Sequence, residues 1–329
     1  MSNKKILAVF GATGQQGTSV INHVLAHPKL SQTYTIRGIT RDTTSPKATQ
    51  LHAVQGIEVV EADVSNPQSL ATVLKGVHAV FAMTAPSFGP DRFEVEFEQG
   101  KNIYHAAADA GVRLFTFSTL PSIRDISSGK YTAITPFDAK AAVEKYIRSQ
   151  SPSSAFVSLG MFMQNFHSQL YLNPRKVSGA AGSSSSSEEE VWAFQRPMPS
   201  HIKTPYIEAV SDVGKFVGAI LSDPEKYAGK TLLASQALYT QDEIVSALVK
   251  ATGKKIVYKQ VSVDEFAKSI DFLGGFAEIF VEGFQAQEEY GYYGPGTEEG
   301  VAWAAEQAET QGRLTTLEEY LEKNPLQLA

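Results

Sequence analysis

Residues 4–17 read KKILAVFGATGQQG, an apolar run that leads directly into Gly11, Gly14 and Gly17. The run at 6–10 predicts a buried parallel strand. A helix that begins near Gly14 or Gln15 would point its free backbone N–H groups and the positive end of its dipole at an anion, and the missing Cβ atoms let a pyrophosphate approach the backbone. Ala12, Thr13, Gln15 and Gln16 fill the positions between the glycines and belong to the same candidate phosphate loop. The spacing is G-x-x-G-x-x-G rather than G-x-G-x-x-G, and glycines alone also suit a tight strand-to-helix turn with no ligand. The flanks decide: Val20, Ile21, Val24 and Leu25 repeat with helical period, and a second apolar run at 34–40 predicts the next strand. Strand, glycine turn, helix and strand make the βαβ unit of a dinucleotide-binding fold.

The rest of the composition fits a large globular chain. With 329 residues and 43% hydrophobic content it can bury a sizeable core, as one large domain or two lobes. A net charge of −6 argues against direct nucleic-acid binding, which needs clustered cations. There is no cysteine, so disulfides, thiolate metal sites and a cysteine nucleophile are excluded, and no His/Asp/Glu spacing suggests a metal. Lys4 and Lys5 before an apolar run imitate a signal peptide, but the run is too short and ends in glycines. No apolar segment approaches the roughly 20 residues that span a bilayer, so the reading is a cytoplasmic protein, or one shared with the nucleus, with no membrane contact.

Along the chain, further strands are expected at 57–61, 77–83, 112–119 and 155–160, alternating with helices. Thr40-Arg41-Asp42 closes the second strand, where this fold meets the adenosine ribose. Arg41 offers a planar cation suited to a 2′-phosphate and favours NADP over NAD, against the alternative of a solvated arginine at a strand end. Asp63 and Val64 are placed at the adenine edge, or are a plain strand end. Asn66-Pro67 reads as an N-cap with proline at the first helical position. Met83, Thr84 and Ala85 follow the fourth strand, where small residues would let a cofactor pass close to the backbone. In the amphipathic segment 91–110, Phe93, Phe97, Ile103 and Tyr104 form the expected inner stripe. Ser118, at the end of the fifth strand, either faces the nicotinamide or substrate or bonds locally to backbone.

Six alternating strands predict an α/β fold, a doubly wound parallel (Rossmann) sheet in the order 3-2-1-4-5-6, with ligand at the carboxyl ends of the strands. Residues 1–160 and about 201–235 are assigned to this domain, and 161–200 with 236–329 to a smaller α+β lobe over the cofactor. The run GAAGSSSSSEEE at 179–190 is low-complexity and reads as a mobile surface loop. His167 reads as packing. Tyr290, Tyr292 and Tyr293, in YGYYGPG, either line a substrate pocket or pack a turn.

Several stretches together resemble the NmrA-like family of atypical short-chain dehydrogenase/reductases: VFGATGQQG (9–17), TRD (40–42), FDAKAAVEKY (137–146), MFMQNF (161–166), VSDVGKFV (210–217) and TLEEYLEKN (316–324). The resemblance covers nearly the whole chain, with the serine-rich insertion as a departure. It implies NADP(H) as cofactor, held by the glycine loop, by Arg41 and by Lys140 of F-D-x-K. It also implies that Phe162, Met163, Gln164 and Asn165 lie beside the nicotinamide half. Ordinary short-chain dehydrogenases pair tyrosine and lysine one helical turn apart as Y-x-x-x-K, but Pro136 stands four residues before Lys140. The family includes both reductases and NADP(H)-binding redox-sensing regulators. Two functions therefore stay open: an NADPH-dependent reductase of a small C=O, C=N or C=C substrate, with Lys140 as candidate proton donor and Ser118 and Tyr131 as weaker ones, or a non-catalytic NADP(H) sensor that regulates a partner protein such as a transcription factor. A sugar-nucleotide binder on the same fold is a third reading.

Overall fold

The computed structural model describes residues 4–54, 57–87, 89–151, 153–177 and 190–328; all of the low-complexity run except Glu190 lies outside them. The strands, in chain order, are β1 (Lys5–Phe10), β2 (Tyr34–Thr40), β3 (Ile57–Glu61), β4 (Val77–Ala82), β5 (Leu114–Thr119), β6 (Ala155–Leu159), β7 (Met161–Phe162), β8 (Arg175–Val177), β9 (Val191–Arg196), β10 (Lys203–Ile207), β11 (Thr231–Ala234), β12 (Ala237–Thr240) and β13 (Lys255–Gln260). The principal helices are α1 (Gln15–Ala26), α2 (Pro46–His52), α3 (Pro67–Val73), α4 (Arg92–Asp109), α5 (Thr135–Gln150), α6 (Val213–Ser222), α7 (Gln241–Thr252), α8 (Ala277–Tyr290), α9 (Thr297–Glu309) and α10 (Leu317–Lys323).

The central sheet is parallel, in the order β11-β6-β5-β4-β1-β2-β3. This is the expected doubly wound order extended by a seventh strand, because Leu232 and Ala234 are apolar enough to be buried against β6. The near-continuous apolar character of β1 (KILAVF) and β4 (VHAVFA) follows from coverage on both faces. One face packs Val20, Ile21 and Val24 of α1 with Phe216, Val217 and Ile220 of α6, and with Ala304 and Ala308 of α9. The other packs Leu70 and Val73 of α3, Ile103 and Ala107 of α4, and Val143 and Ile147 of α5.

Local chemistry sets the element ends. Asn66 accepts from Gln68 N–H and Ser69 N–H ahead of Pro67, as its sequence position suggested. Asp212 occupies the N-cap of α6, but its carboxylate receives the Lys215 ammonium at 2.6 Å and Thr315 N–H at 2.8 Å instead of a capping N–H. It thereby ties the C-terminal segment to α6.

Two small sheets, β12-β10-β7 and β13-β9-β8, build the rest. Their shared core brings Trp192, Phe194 and Tyr206 together with Ile244 and Leu248 of α7 and with Leu317 and Tyr320 of α10. His167 is part of this packing, its Nδ1 3.1 Å from the Tyr320 hydroxyl. The α9 helix packs on β11 and α6, against the central sheet.

Candidate functional site

The glycine turn is shaped for a close approach. Gly11 has φ 64° and Gly14 is the N-cap of α1 with no side-chain cap. A Cβ on Gly17 would lie 2.2 Å from the Gly11 carbonyl oxygen, so the helix can start this close to the strand only with glycine there. Gly14 N–H bonds Gly11 O and Thr18 N–H bonds Gly14 O, leaving the N–H groups of Gln15, Gln16 and Gly17 without protein acceptors among the described residues. Gln16 adds a buried Oε1 that has no partner there either. These groups border a cleft of about 750 Å³.

The cleft runs from Thr13 and the glycines past Arg41, Asp63 and Val64 to Met83, Thr84 and Ala85, and reaches Phe162. Arg41 is exposed on its rim and makes no ion pair among the described residues. Asp42 is occupied elsewhere: its carboxylate accepts from Thr44 N–H at 2.8 Å and Thr44 Oγ1 at 2.6 Å, contacts that hold its pKa below the usual carboxylate range. The adjacent acid therefore leaves the Arg41 guanidinium uncommitted. Asp63 accepts from Ser65 N–H at 2.8 Å. Ala12 is fully buried, and its N–H bonds Ile39 O at 3.1 Å, which places it in the core beneath the loop and not on the cleft wall.

A second cavity, of about 490 Å³, adjoins the cleft and shares Gln16, Met83, Thr84, Pro86 and Phe162 with it. Its walls are mostly apolar and aromatic: Ile123, Ile134 and Phe137 from one side, Met161 and Phe162 from β7, and Ile279, Phe280, Phe284 and Tyr292 from and just after α8. Ser118, Thr119, Lys140 and Asn165 are among the polar groups that reach it. Ser118 is buried at the cavity wall.

Lys140 projects from α5 into a buried polar cluster. Its ammonium donates to Thr84 O at 3.1 Å, to Thr84 Oγ1 at 3.3 Å and to the Glu96 carboxylate, while Thr84 Oγ1 itself donates to Glu96 at 2.7 Å. Burial pushes the Lys140 pKa below the ordinary lysine value, and Glu96 opposes that shift. Glu96 is 1% exposed. The pair can form because α4 and α5 approach closely one turn further on: a Cβ on Gly100 would lie 2.5 Å from the Val143 methyls.

Glu96 was not among the residues singled out from the sequence, although its signal was present. Residues 96, 100, 103 and 107 follow one helical stripe and are all buried. The inner face of α4 thus begins with Glu96 and Gly100, while Phe93 and Phe97 are half-buried at its margin. The Asp138 of F-D-x-K is structural: Arg124 N–H donates to it at 3.0 Å, and burial raises its pKa against that contact.

The remaining sequence candidates separate into those near the cavities and those away from them. Phe162 lines both and Asn165 lines the apolar one. Met163 is fully buried in the second-lobe core. Gln164 is occupied, donating to Glu208 and accepting from Ala209 N–H at 3.1 Å. Tyr131 lines neither cavity; its hydroxyl donates to Glu289 at 2.6 Å. Of the tyrosine cluster, Tyr292 lines the apolar cavity, and Tyr293 is buried with its hydroxyl 2.9 Å from Ser235 Oγ. Among the described residues no group of His, Asp and Glu is arranged to hold a metal ion, and no helix is long and apolar enough to cross a membrane.

Comparison with known proteins agrees with this architecture. An NmrA-like family domain-containing protein of Dictyostelium discoideum is 29% identical over 328 residues, covering 98% of each chain. The NmrA-like family domain-containing oxidoreductase cpsB of Aspergillus campestris is 30% identical over 290 residues, 85% of this chain and 82% of its own. Crystal structures of NmrA, a negative transcriptional regulator, superpose with a TM-score of 0.74 for its complex with NAD and 0.73 for its complex with NADP. Both are at 20% identity and cover 98% of this chain and 95% of NmrA. The family model for the NmrA-like family matches residues 3–321. The chain belongs to the NmrA-like family.

Proposed function

We propose that this protein is an NADPH-dependent reductase of a small, apolar substrate bearing a C=O, C=N or C=C bond. The observation that carries this reading is the apolar cavity joined to the glycine-loop cleft through Gln16, Met83, Thr84, Pro86 and Phe162. A cofactor lying along the cleft would end beside a separate, mostly apolar chamber of a size suited to a small ligand.

The chain's residues fit the cofactor. The unsatisfied N–H groups of Gln15, Gln16 and Gly17 suit a pyrophosphate, and the missing Cβ at Gly17 lets the helix that presents them start this close to the strand. The uncommitted Arg41 suits a 2′-phosphate, which is why NADP(H) is proposed over NAD(H). When bound, NADPH supplies the hydride. Phe137, Phe162, Phe280 and Phe284 exclude water and hold a flat apolar substrate; Thr84, with Lys140 behind it, forms the polar seam between chamber and cleft.

The names of the relatives support both halves of the reading: cpsB is termed an oxidoreductase, and NmrA is a regulator solved with NAD and with NADP. A pure sensor needs the cleft but has no use for the adjoining chamber. The test is to follow NADPH absorbance while a panel of uncharged aryl ketones, quinones, imines and enones is added to the purified protein. Loss of NADPH with at least one of them, and faster than with NADH, is expected. No loss with any, together with different affinities of the NADPH and NADP+ forms for a protein partner, would favour the sensor.

A further inference from the structure

The chain lacks the tyrosine of Y-x-x-x-K, and Lys140 is held back by Glu96 and Thr84. A reductase of polar double bonds still needs a proton for the heteroatom. We propose that Tyr292, from the segment after α8, supplies this proton across the apolar cavity, whose wall it shares with Ser118. The inference rests on the reductase reading above and adds the acid that it requires.

Three observations converge on Tyr292. First, its half-buried ring lines the cavity together with Ser118 and Lys140. Second, that ring packs edge-on to Phe137, with centroids 5.7 Å apart at 64°, and Phe137 lies on α5 one turn before Lys140. A side chain from a distant part of the chain is thereby fixed on the helix that would carry the ordinary tyrosine-lysine pair. Third, no group among the described residues hydrogen-bonds its hydroxyl, whereas the neighbouring Tyr293 hydroxyl is occupied by Ser235 and that of Tyr131 by Glu289. A phenol in a mostly apolar chamber without a protein partner is available to a ligand acceptor. Burial raises its pKa above the ordinary phenol value, so it carries its proton throughout the neutral range.

The step balances for a ketone. A C–H bond forms at the carbonyl carbon with hydride from NADPH, the C=O π bond breaks, and the oxygen takes the Tyr292 proton as that O–H bond opens. Water returns a proton to the phenolate. The sum is ketone, NADPH and one proton giving alcohol and NADP+.

Tyr292→Phe removes only the hydroxyl and keeps the ring on Phe137. With a ketone that oxidises NADPH in the wild type, the variant's kcat is expected to fall about a hundredfold, the low end for a positioned general acid, with NADPH affinity unchanged within about twofold. Tyr293→Phe, which removes the hydroxyl held by Ser235, should leave kcat within about threefold. A second readout needs no turnover: calorimetric binding of tetralone and of its hydrocarbon, tetralin. The wild type should prefer tetralone by about tenfold, one hydrogen bond's worth, and Tyr292→Phe should lose that preference. An unchanged kcat in Tyr292→Phe, or a ketone preference absent from the wild type or retained by the variant, overturns the assignment. Should no carbonyl compound oxidise NADPH, the reductase reading and the proton transfer fail together, and the tetralone comparison then reads only whether the Tyr292 hydroxyl donates a hydrogen bond to a carbonyl in the cavity.

Discussion

Replacing Glu96 by Gln tests the buried ion pair on which the placing of Lys140 depends. Glu96 is 1% and Lys140 6% exposed, so the substitution leaves an ammonium in the interior without its counter-charge. Removing one partner of such a pair costs about 3–5 kcal/mol. Here the lower end applies, because Thr84 O and Thr84 Oγ1, at 3.1 and 3.3 Å, still accept from the ammonium and glutamine keeps one carbonyl acceptor. A loss of about 3 kcal/mol shifts the folded-to-unfolded ratio roughly 150-fold. The double variant Glu96→Gln/Lys140→Met buries neither charge and should recover most of the loss. The pH dependence has a definite sign. Burial already holds the folded Lys140 pKa below the ordinary value, and without Glu96 it falls further. Between the folded pKa and that of the unfolded chain, the unfolded state binds the extra proton, so stability rises with pH by up to about 1.4 kcal/mol per unit. That window opens at lower pH in the variant than in the wild type, so the penalty should be largest at low pH and shrink as pH rises. Urea unfolding followed by circular dichroism at pH 6, 7, 8 and 9 measures it. A loss under about 1 kcal/mol, or one that grows as pH rises, would refute the buried pair.

Two further substitutions probe the cleft. Arg41→Ala should weaken NADPH binding about tenfold or more and leave NADH binding nearly unchanged, since one charge-assisted contact is worth on the order of 1.5–3 kcal/mol; equal losses for both cofactors, measured by fluorescence titration, would remove the 2′-phosphate role. Gly17→Ala sets a methyl 2.2 Å from the Gly11 carbonyl oxygen, so the turn must shift; thermal melts should show destabilisation by about 1–3 kcal/mol, and NADPH affinity should fall at least about tenfold. Wild-type affinity in that variant would show that the loop does not carry the pyrophosphate.

Much of the fold was legible because its signals are local. The apolar runs at β1 and β4, the glycines at 11, 14 and 17, and the Asn66-Pro67 cap each dictate one element, and a βαβ succession leaves few topologies. The place of the seventh strand was less visible: β11 is four residues long, and its membership in the central sheet is set by pairing with residues of β6 that lie 75 positions earlier in the chain. The site was legible where backbone makes it and obscure where side chains from distant elements do. The glycine loop, Arg41 and Thr84 could be placed from strand ends alone. Glu96 was hidden by the expectation that a buried helix face is apolar, and only the close passage of α4 and α5 at Gly100 and Val143 explains how a carboxylate sits there. Gln164 and Tyr131 are polar residues in suggestive positions whose hydrogen bonds go to Glu208 and Glu289, which no spacing rule reveals. Tyr292 reaches the cavity because the turn after α8 lays it on Phe137.

In the proposed reaction, hydride passes from NADPH to a substrate held in the apolar cavity. The most direct measurement presents the protein with NADPH deuterated at the transferring C4 position and an uncharged ketone or imine, then weighs the product by mass spectrometry. The expected product gains one deuterium, and the rate should fall when the chamber is filled by Gly283→Trp, since Gly283 lines the cavity wall and has open space beside it. Across the same panel of substrates, a product without deuterium, or no product at all while NADPH binds tightly, would contradict it.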